Sequence, residues 1–127
     1  MGERDNRATA EAFWTEAAAG DWDAAAAHLH PAFVQEWPQS GERIVGADDA
    51  LAIDRNFPGG MPTMRTRRML AGGDLVTVEL ELTYADGSSY LGVSILEFRD
   101  GEIVKETDYF AEPFAAPQWR AQWVQRM

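Results

Sequence analysis

The chain has 127 residues, of which 46% are hydrophobic, and its formal net charge is −10. A chain of this size can bury the core of one domain, so we predict a single domain over residues 1–127. The excess of 21 acidic over 11 basic residues disfavours nucleic acid as a partner, because such binding depends on cations that neutralise phosphates. The absence of cysteine excludes disulfides, thiolate metal sites and a thiol nucleophile.

No stretch of the sequence approaches the roughly 18 apolar residues that a membrane span requires, and the N-terminal segment is charged. We therefore expect a cytoplasmic protein without a membrane partner. The sequence contains no ligand loop of the EF-hand type, and we predict neither a metal ion nor a cofactor.

Two helices are predicted in the N-terminal part of the chain. The alanine-rich segment Arg7–Ala19 has apolar residues at helical spacing, and Gly20 favours the end of that helix. Asp21 can cap a second helix, which Pro31 prevents from continuing. A third helix is predicted from about Ala47 to Asn56.

The other apolar runs have the alternation that is typical of β-strands. The predicted strands are Phe33–Trp37, Ile44–Val45, Arg65–Leu70, Leu75–Tyr84, Tyr90–Phe98 and Glu102–Phe110. The dipeptides Asp86-Gly87 and Asp100-Gly101 favour β-hairpin turns between strands. Helices that precede a meander of strands predict an α+β fold, with the helices packed on one face of a curved sheet.

The order of elements and two segments of the chain resemble the nuclear-transport-factor-2-like (NTF2-like) superfamily, which includes SnoaL-like polyketide cyclases, ketosteroid isomerases and limonene epoxide hydrolases. The first segment contains the motifs GDW (residues 20–22) and HPAFV (residues 30–34). The second, DGEIVKETDYF (residues 100–110), is similar to the final strand of the hydrolases. The resemblance covers essentially the whole chain. It implies a cone-shaped fold with N-terminal helices on a strongly curved, mixed but mostly antiparallel sheet.

In those hydrolases the aspartate of the Asp-Tyr-Phe triplet is a catalytic acid, and the resemblance places this role at Asp108. An Arg-x-Asp pair on an earlier strand falls on Thr77 and Glu79, so the acid is kept and the arginine is not. The tyrosine and asparagine that orient water fall on Val34 and Glu36. These departures do not support epoxide hydrolysis by that mechanism.

Strand alternation places Glu106, Asp108 and Phe110 on one face of the last strand. Carboxylates in a partly apolar pocket raise one another's pKa, so that one keeps a proton while another is ionised, which suits general acid–base catalysis. The predicted catalytic residues are Asp108, Glu79 and Glu36. The predicted ligand-binding residues are Trp14, Val34, Trp37, Thr77, Glu106 and Phe110.

Two functions remain open at this point, beside a third alternative in which the chain is a structural dimer module with a vestigial pocket. One is an isomerase, cyclase or hydrolase that acts on a small apolar organic substrate with Asp108 as the key acid. The other is a non-catalytic binding domain for a small hydrophobic ligand. The strand acids also fit a solvent-exposed face of the sheet, with the alternating apolar residues Val76, Val78, Leu80 and Leu82 directed inward.

Three further features concern the surface. His28 and His30 fit the end of a helix, where a histidine interacts favourably with the helix dipole. Domains of the family often pair through the outer face of the sheet, and the resemblance therefore implies a homodimer with Tyr109 at the subunit contact. The tail that holds Trp119 and Trp123 fits either that interface or a cap over the pocket.

Overall fold

The computed structural model describes residues 2–127, without the side chains of residues 3 and 4, so that Met1 of the predicted domain lies outside the described residues. The α-helices in this range are Glu3–Ala18 (α1), Trp22–Ala26 (α2) and Ala47–Arg55 (α3). The strands are Leu29–Trp37 (β1), Glu42–Val45 (β2), Thr63–Gly72 (β3), Leu75–Thr83 (β4), Ser89–Arg99 (β5) and Glu102–Ala111 (β6). A 3-10 helix, Gln118–Trp123, follows.

The six strands form one sheet in the order β2-β1-β6-β5-β4-β3. The pairing of β1 with β6 is parallel, whereas all other neighbouring strands are antiparallel. The helices pack on one face of this sheet, with α1 against β3 and β4 and with α3 against β1 and β2. The prediction of an α+β fold on a mixed, mostly antiparallel sheet is confirmed.

The core lies between the helices and the inner face of the sheet. The inward residues of β4 are Val76, Val78, Leu80 and Leu82, and all four are buried as predicted. From the helical side, α1 contributes Ala10, Phe13 and Ala17 to the same core. The fold is therefore held by apolar burial between two layers.

An extra residue in β6 changes the phase of that strand. Phe98 pairs with Ile103, but the preceding residue Glu97 pairs with Lys105, so that Val104 is a β-bulge. The bulge lies next to the predicted Asp100-Gly101 turn, in which both residues have positive φ.

The bulge decides what the last strand presents to the interior. Ile103, Glu106 and Asp108 are all buried, although strict alternation from Ile103 would turn both acids outward. The structure thus places these two carboxylates on the inner face together with the apolar core.

The second helix is shorter than predicted, and the first strand is longer. Helix α2 ends at Ala26, and β1 already begins at Leu29, which pairs with Ile103 of β6. Pro31 also lies in β1, between Leu29 and Val34, where the register of the pairing with β6 shifts. A proline has no N–H to donate, but at this irregular point it interrupts no regular ladder of hydrogen bonds. Pairing with β6 therefore overrides the local helical preference.

His28 lies at the predicted helix end, where its backbone N–H donates to the carbonyl of Ala25, but His30 lies in β1, so the predicted helix-end position is wrong for His30. His28 Nε2 lies 2.8 Å from Glu16 Oε2, which ties the end of α2 to α1. His30 is a residue of β1, and its Nδ1 accepts a hydrogen bond from the backbone N–H of Ala32 at 2.9 Å. Neither side chain lines the cavity described below.

None of the helices in residues 2–127 combines the length and apolarity of a membrane-crossing helix.

The C-terminal tail departs from one of the two positions predicted for it, the cap over the pocket. Trp119 and Trp123 are 73% and 72% exposed, and neither lines the cavity, so the tail does not cap it in this chain.

Phe33 of β1 is 1% exposed and belongs to the core. We expect Phe33→Ala to lower the free energy of unfolding by about 3–5 kcal/mol, because it removes a buried ring and leaves a cavity. Urea unfolding followed by circular dichroism measures this. The matched control is Phe114→Ala, since Phe114 is 79% exposed, and its effect should stay within about 0.5 kcal/mol. Equal losses for the two variants would contradict the placement of the core.

Candidate active site

The helices and the inner face of the sheet enclose a cavity of about 110 Å³. The aromatic residues on its wall include Phe13, Trp14, Trp37, Phe57, Tyr84 and Phe110. Its acidic side chains are Asp54, Glu106 and Asp108, and no lysine, arginine or histidine of the described residues lines it. The site is thus a small, largely apolar chamber that contains three carboxyl groups.

Asp108 accepts hydrogen bonds from three different side chains. Ser94 Oγ donates to Oδ1 at 2.6 Å, whereas Gln35 Nε2 and Trp37 Nε1 donate to Oδ2 at 2.6 and 3.0 Å. The side chain of Asp108 is otherwise enclosed, since the residue is only 3% exposed. Donors directed at both oxygens stabilise a carboxylate where water does not reach it.

The strand register explains why these donors converge on Asp108. Ser94 of β5 is the direct cross-strand partner of Asp108. On the other side of β6, Gln35 of β1 pairs with Glu106, and Trp37 follows Gln35 on the same inner face. The site therefore consists of three adjacent strands, and the central one carries the acids.

Glu106 is the second acid on β6, two residues before Asp108. Burial raises the pKa of Glu106 well above its ordinary value, and the negative charge of Asp108 and a hydrogen bond to Asp108 raise it further. Gln35 Nε2 also donates to Glu106 Oε2 at 2.9 Å, so one amide group joins the two acids. Glu106 consequently keeps its proton at a pH where an exposed glutamate has lost it.

Asp54 contributes a third carboxyl group from the helical side of the cavity. Partial burial raises the pKa of Asp54 to about 6, and the charge of Asp108 contributes to this shift. Among the described residues no hydrogen-bond donor contacts the Asp54 carboxylate. The three acids therefore differ in their surroundings: Asp108 accepts three hydrogen bonds, burial favours the protonated form of Glu106, and Asp54 accepts no hydrogen bond from the described residues.

No group of three or more histidine, aspartate or glutamate side chains in residues 2–127 has an arrangement that could hold a metal ion. The three carboxyl groups of the cavity can move protons to and from a ligand in an apolar chamber.

Five of the residues predicted for the site line the cavity, namely Trp14, Trp37, Glu106, Asp108 and Phe110. They come from α1, β1 and β6, which are far apart in the sequence. Their roles in binding and catalysis remain predictions. The structure does bring them to one chamber, and Asp108 and Glu106 share one face of β6 as alternation predicts, which the bulge at Val104 makes the inner face.

The other four predicted residues, Val34, Glu36, Thr77 and Glu79, do not line the cavity. Val34 and Glu36 alternate with the inward residues of β1, and Thr77 and Glu79 alternate with the inward residues of β4. Their predicted place in the pocket is therefore wrong. In addition, β4 is separated from β6 by β5, so Glu79 is not on the strand next to Asp108.

Both misplaced acids have basic partners outside the cavity. Glu36 lies 2.7 Å from Arg43 Nη2 and 3.0 Å from Lys105 Nζ. Glu79 accepts two hydrogen bonds from Arg68, which lower its pKa. The alternative prediction was that the strand acids lie on the solvent-exposed face of the sheet. It is thus correct for Glu79 and wrong for Glu106.

Three polar residues of the site escaped the sequence analysis: Gln35, Asp54 and Ser94. Gln35 lies midway between the inward residues Phe33 and Trp37, so alternation along β1 indicates its direction. Asp54 follows Ala47, Ala50 and Leu51 in the inward stripe of α3, where an acid is unexpected. Alternation along β5 with the buried residues Leu96 and Phe98 likewise indicates that Ser94 points inward, but its pairing with Asp108 depends on the bulge in β6.

Comparison with protein families gives a match over residues 10–106 to the SnoaL-like domain. The chain belongs to this family. The matched segment ends at Glu106, so Asp108, the second acid of β6, lies outside it. The family has the NTF2-like fold and includes isomerases, cyclases and epoxide hydrolases.

Solved structures of similar proteins agree with this assignment. An NTF-2 like protein of unknown function from Burkholderia xenovorans LB400 is 40% identical, with a TM-score of 0.84 over 98% of this chain and 97% of that one. A putative ketosteroid isomerase from Kribbella flavida DSM 17836 is 31% identical, with a TM-score of 0.91 over 98% and 91%. An LEH-like epoxide hydrolase from M. tuberculosis is 25% identical, with a TM-score of 0.73 over 85% and 84%. No curated protein matches the chain.

The raised pKa of Glu106 predicts how stability depends on pH. In the unfolded chain this glutamate ionises near its ordinary value of 4.5, whereas in the folded chain it stays protonated to higher pH. Its contribution to stability therefore falls as pH rises above about 4.5, by up to about 1.4 kcal/mol per pH unit, until the folded-state pKa is reached. Glu106→Gln removes the ionisation and should gain stability relative to the wild type over this window.

Urea unfolding of both proteins at several pH values between 4 and 8 measures the difference. Glu97→Gln is the matched control, because Glu97 lies outside the cavity on the neighbouring strand. A constant difference between Glu106→Gln and the wild type at all pH values would contradict a raised pKa at Glu106.

Proposed function

We propose that the chain is an enzyme that moves protons by general acid–base catalysis on a small apolar organic substrate, as an isomerase, cyclase or hydrolase. Asp108 is the key acidic residue of this proposal, and Glu106 is its partner. The observation that carries the proposal is the burial of this carboxyl pair inside an apolar chamber. Such burial is costly for stability, and perturbed acids in a cavity are typical of functional sites.

Each acid of the pair has a role that follows from its contacts. Glu106 is protonated, and on substrate binding its single O–H exchanges the hydrogen bond to Asp108 for one to an oxygen atom of the substrate that gains negative charge. Asp108 is the fixed anion, and its charge holds the Glu106 proton in place. Trp14, Trp37 and Phe110 bind the apolar part of the substrate, and the cavity volume of about 110 Å³ suits a compound of about one ring.

The relatives support chemistry of this class. The Kribbella protein is a putative ketosteroid isomerase, and the M. tuberculosis protein is an LEH-like epoxide hydrolase. The hydrolase mechanism itself receives no support here, since Thr77 and Glu79 lie outside the cavity. Proton transfer at a carbon or oxygen atom is therefore the preferred form of the proposal.

Cyclohexanone and cyclohexene oxide serve as one-ring probes of the proposed activity. Wild-type protein should bind at least one of them, as monitored by quenching of Trp14 and Trp37 fluorescence. It should also catalyse proton exchange of the ketone or opening of the epoxide, as monitored by NMR. Asp108→Asn should retain binding and lower the rate at least about 100-fold, because it removes the charge that holds the Glu106 proton.

The matched control is Glu79→Gln, which changes an acid on the outer face and should leave the rate unchanged. Unchanged turnover in Asp108→Asn would remove this residue from the mechanism. Binding without any turnover in the wild type would overturn the enzyme proposal in favour of a non-catalytic binding domain for a small hydrophobic ligand.

We also propose that a second copy of the chain is a partner, bound through the outer face of the sheet. Leu91, Val93 and Tyr109 are exposed there, and Val93 pairs directly with Tyr109 across β5 and β6. Arg67 borders this apolar group and lies 3.5 Å from Glu81, so both signs of charge are available to a symmetric contact.

Light scattering coupled to size-exclusion chromatography tests the pairing. The wild type should elute with the mass of a dimer, and Val93→Arg should elute as a monomer, because a buried unpaired charge is costly at the centre of an interface. Val45→Arg is the control, since Val45 is the same residue type and is even more exposed, at 68% against 37% for Val93, but lies on β2. A monomeric wild type would refute the proposal.

A further inference from the structure

The structure assigns a further catalytic residue: we propose that Asp54 is the general base that removes a proton from a ligand carbon. This inference rests on the proposed function, since it names the second partner of the same proton transfer. Asp54 lies on the helical wall of the cavity, whereas Glu106 and Asp108 lie on the sheet wall. A ligand in the chamber thus has a carboxyl group on either side.

Availability for proton transfer distinguishes Asp54 from Asp108. The two oxygens of Asp108 already accept hydrogen bonds from Ser94, Gln35 and Trp37. The Asp54 carboxylate has no such donor among the described residues, so its lone pairs are free to accept a proton. A base needs free lone pairs near the reacting atom, and Asp54 offers more of them than Asp108, which already accepts three hydrogen bonds.

The position of Asp54 in its helix supports a role beyond structure. Ala47, Ala50 and Leu51 form the inward stripe of α3 with Asp54, and Phe57 continues it beyond the helix. An apolar side chain at position 54 would complete this stripe and bury more apolar surface. The carboxylate instead faces an apolar cavity without a compensating partner, which costs stability.

The proposed step conserves atoms and charge. The C–H bond next to a carbonyl group of the ligand breaks, and its proton forms an O–H bond with Asp54. The electron pair moves through the new C=C bond to the carbonyl oxygen, which accepts the hydrogen bond of protonated Glu106. Return of the proton from Asp54 to the same carbon or to another one restores the carboxylate.

The charged surroundings of Asp54 set its pH dependence. The other titratable residues on the cavity wall are Tyr84, Glu106 and Asp108, and the described residues that α1 and β1 contribute to the wall carry no charge. Burial and the charge of Asp108 raise the pKa of Asp54 to about 6. Asp54 is therefore ionised, and able to act as a base, only above about pH 6.

Hydrogen–deuterium exchange of cyclohexanone in deuterium oxide, followed by proton NMR between pH 5 and 8, tests the assignment. The exchange rate of the wild type should rise through about pH 6 and then level off. Asp54→Asn should bind cyclohexanone as the wild type does and lose at least about 100-fold in rate. Asp54→Glu should recover part of that rate, which a merely structural role would not produce.

Two further variants make the test specific. Asp49→Asn changes an exposed acid on the same helix, outside the cavity, and should leave the rate unchanged. Asp108→Asn should move the inflexion of whatever exchange remains to lower pH, because it removes the charge that raises the pKa of Asp54.

Each outcome decides between the proposals. Exchange that persists in Asp54→Asn, or that has no inflexion near pH 6, overturns the role of Asp54 and leaves the proposed function standing. Failure of the wild type to catalyse exchange although it binds cyclohexanone overturns the role of Asp54 as well. Failure to bind either one-ring probe overturns the proposed function together with this inference.

Discussion

The bulge at Val104 determines which side chains of β6 reach the interior. Ile103 is buried on one side of it, and Glu106 and Asp108 are buried on the other. Without the extra residue, one strand could not supply an apolar core position and two inward acids in this order. The adjacent Asp100-Gly101 turn, in which both residues have positive φ, fixes the start of the strand and so the place of the bulge.

Enclosing two acids in an apolar layer requires compensation, and the neighbouring strands provide it. Ser94 from β5 and Gln35 and Trp37 from β1 direct their donors to Asp108. Glu106 avoids the cost of a second charge by keeping its proton. The result is one negative charge shared by two carboxyl groups, in a wall that otherwise consists largely of aromatic and aliphatic side chains.

The sequence predicted the elements that depend on local patterns. Alternation along β4 and the two Asp-Gly turns correctly indicated the antiparallel part of the sheet. The boundary between α2 and β1 was wrong because Leu29 pairs with Ile103, and such a distant partner leaves no local signal. Counting positions from a resemblance placed Glu36 and Glu79 in the pocket, although alternation with Phe33 and Val78 turns them outward. The inward direction of Ser94 follows from alternation along β5, but its pairing with Asp108 could not be predicted, since that register follows from a bulge.

The parallel pairing of β1 with β6 also bears on how the molecule reaches its native state. The hydrogen bonds from Gln35 and Trp37 to the acids of β6 join residues 71 to 73 positions apart. Contacts of such separation carry a large loop-closure entropy and are typical of slow steps in folding. Until β1 docks, Asp108 lacks two of its three donors, and the edge of β6 is open to pairing with another chain. The strand that carries the acids is therefore also the one whose open edge exposes the chain to misassembly while β1 is not docked.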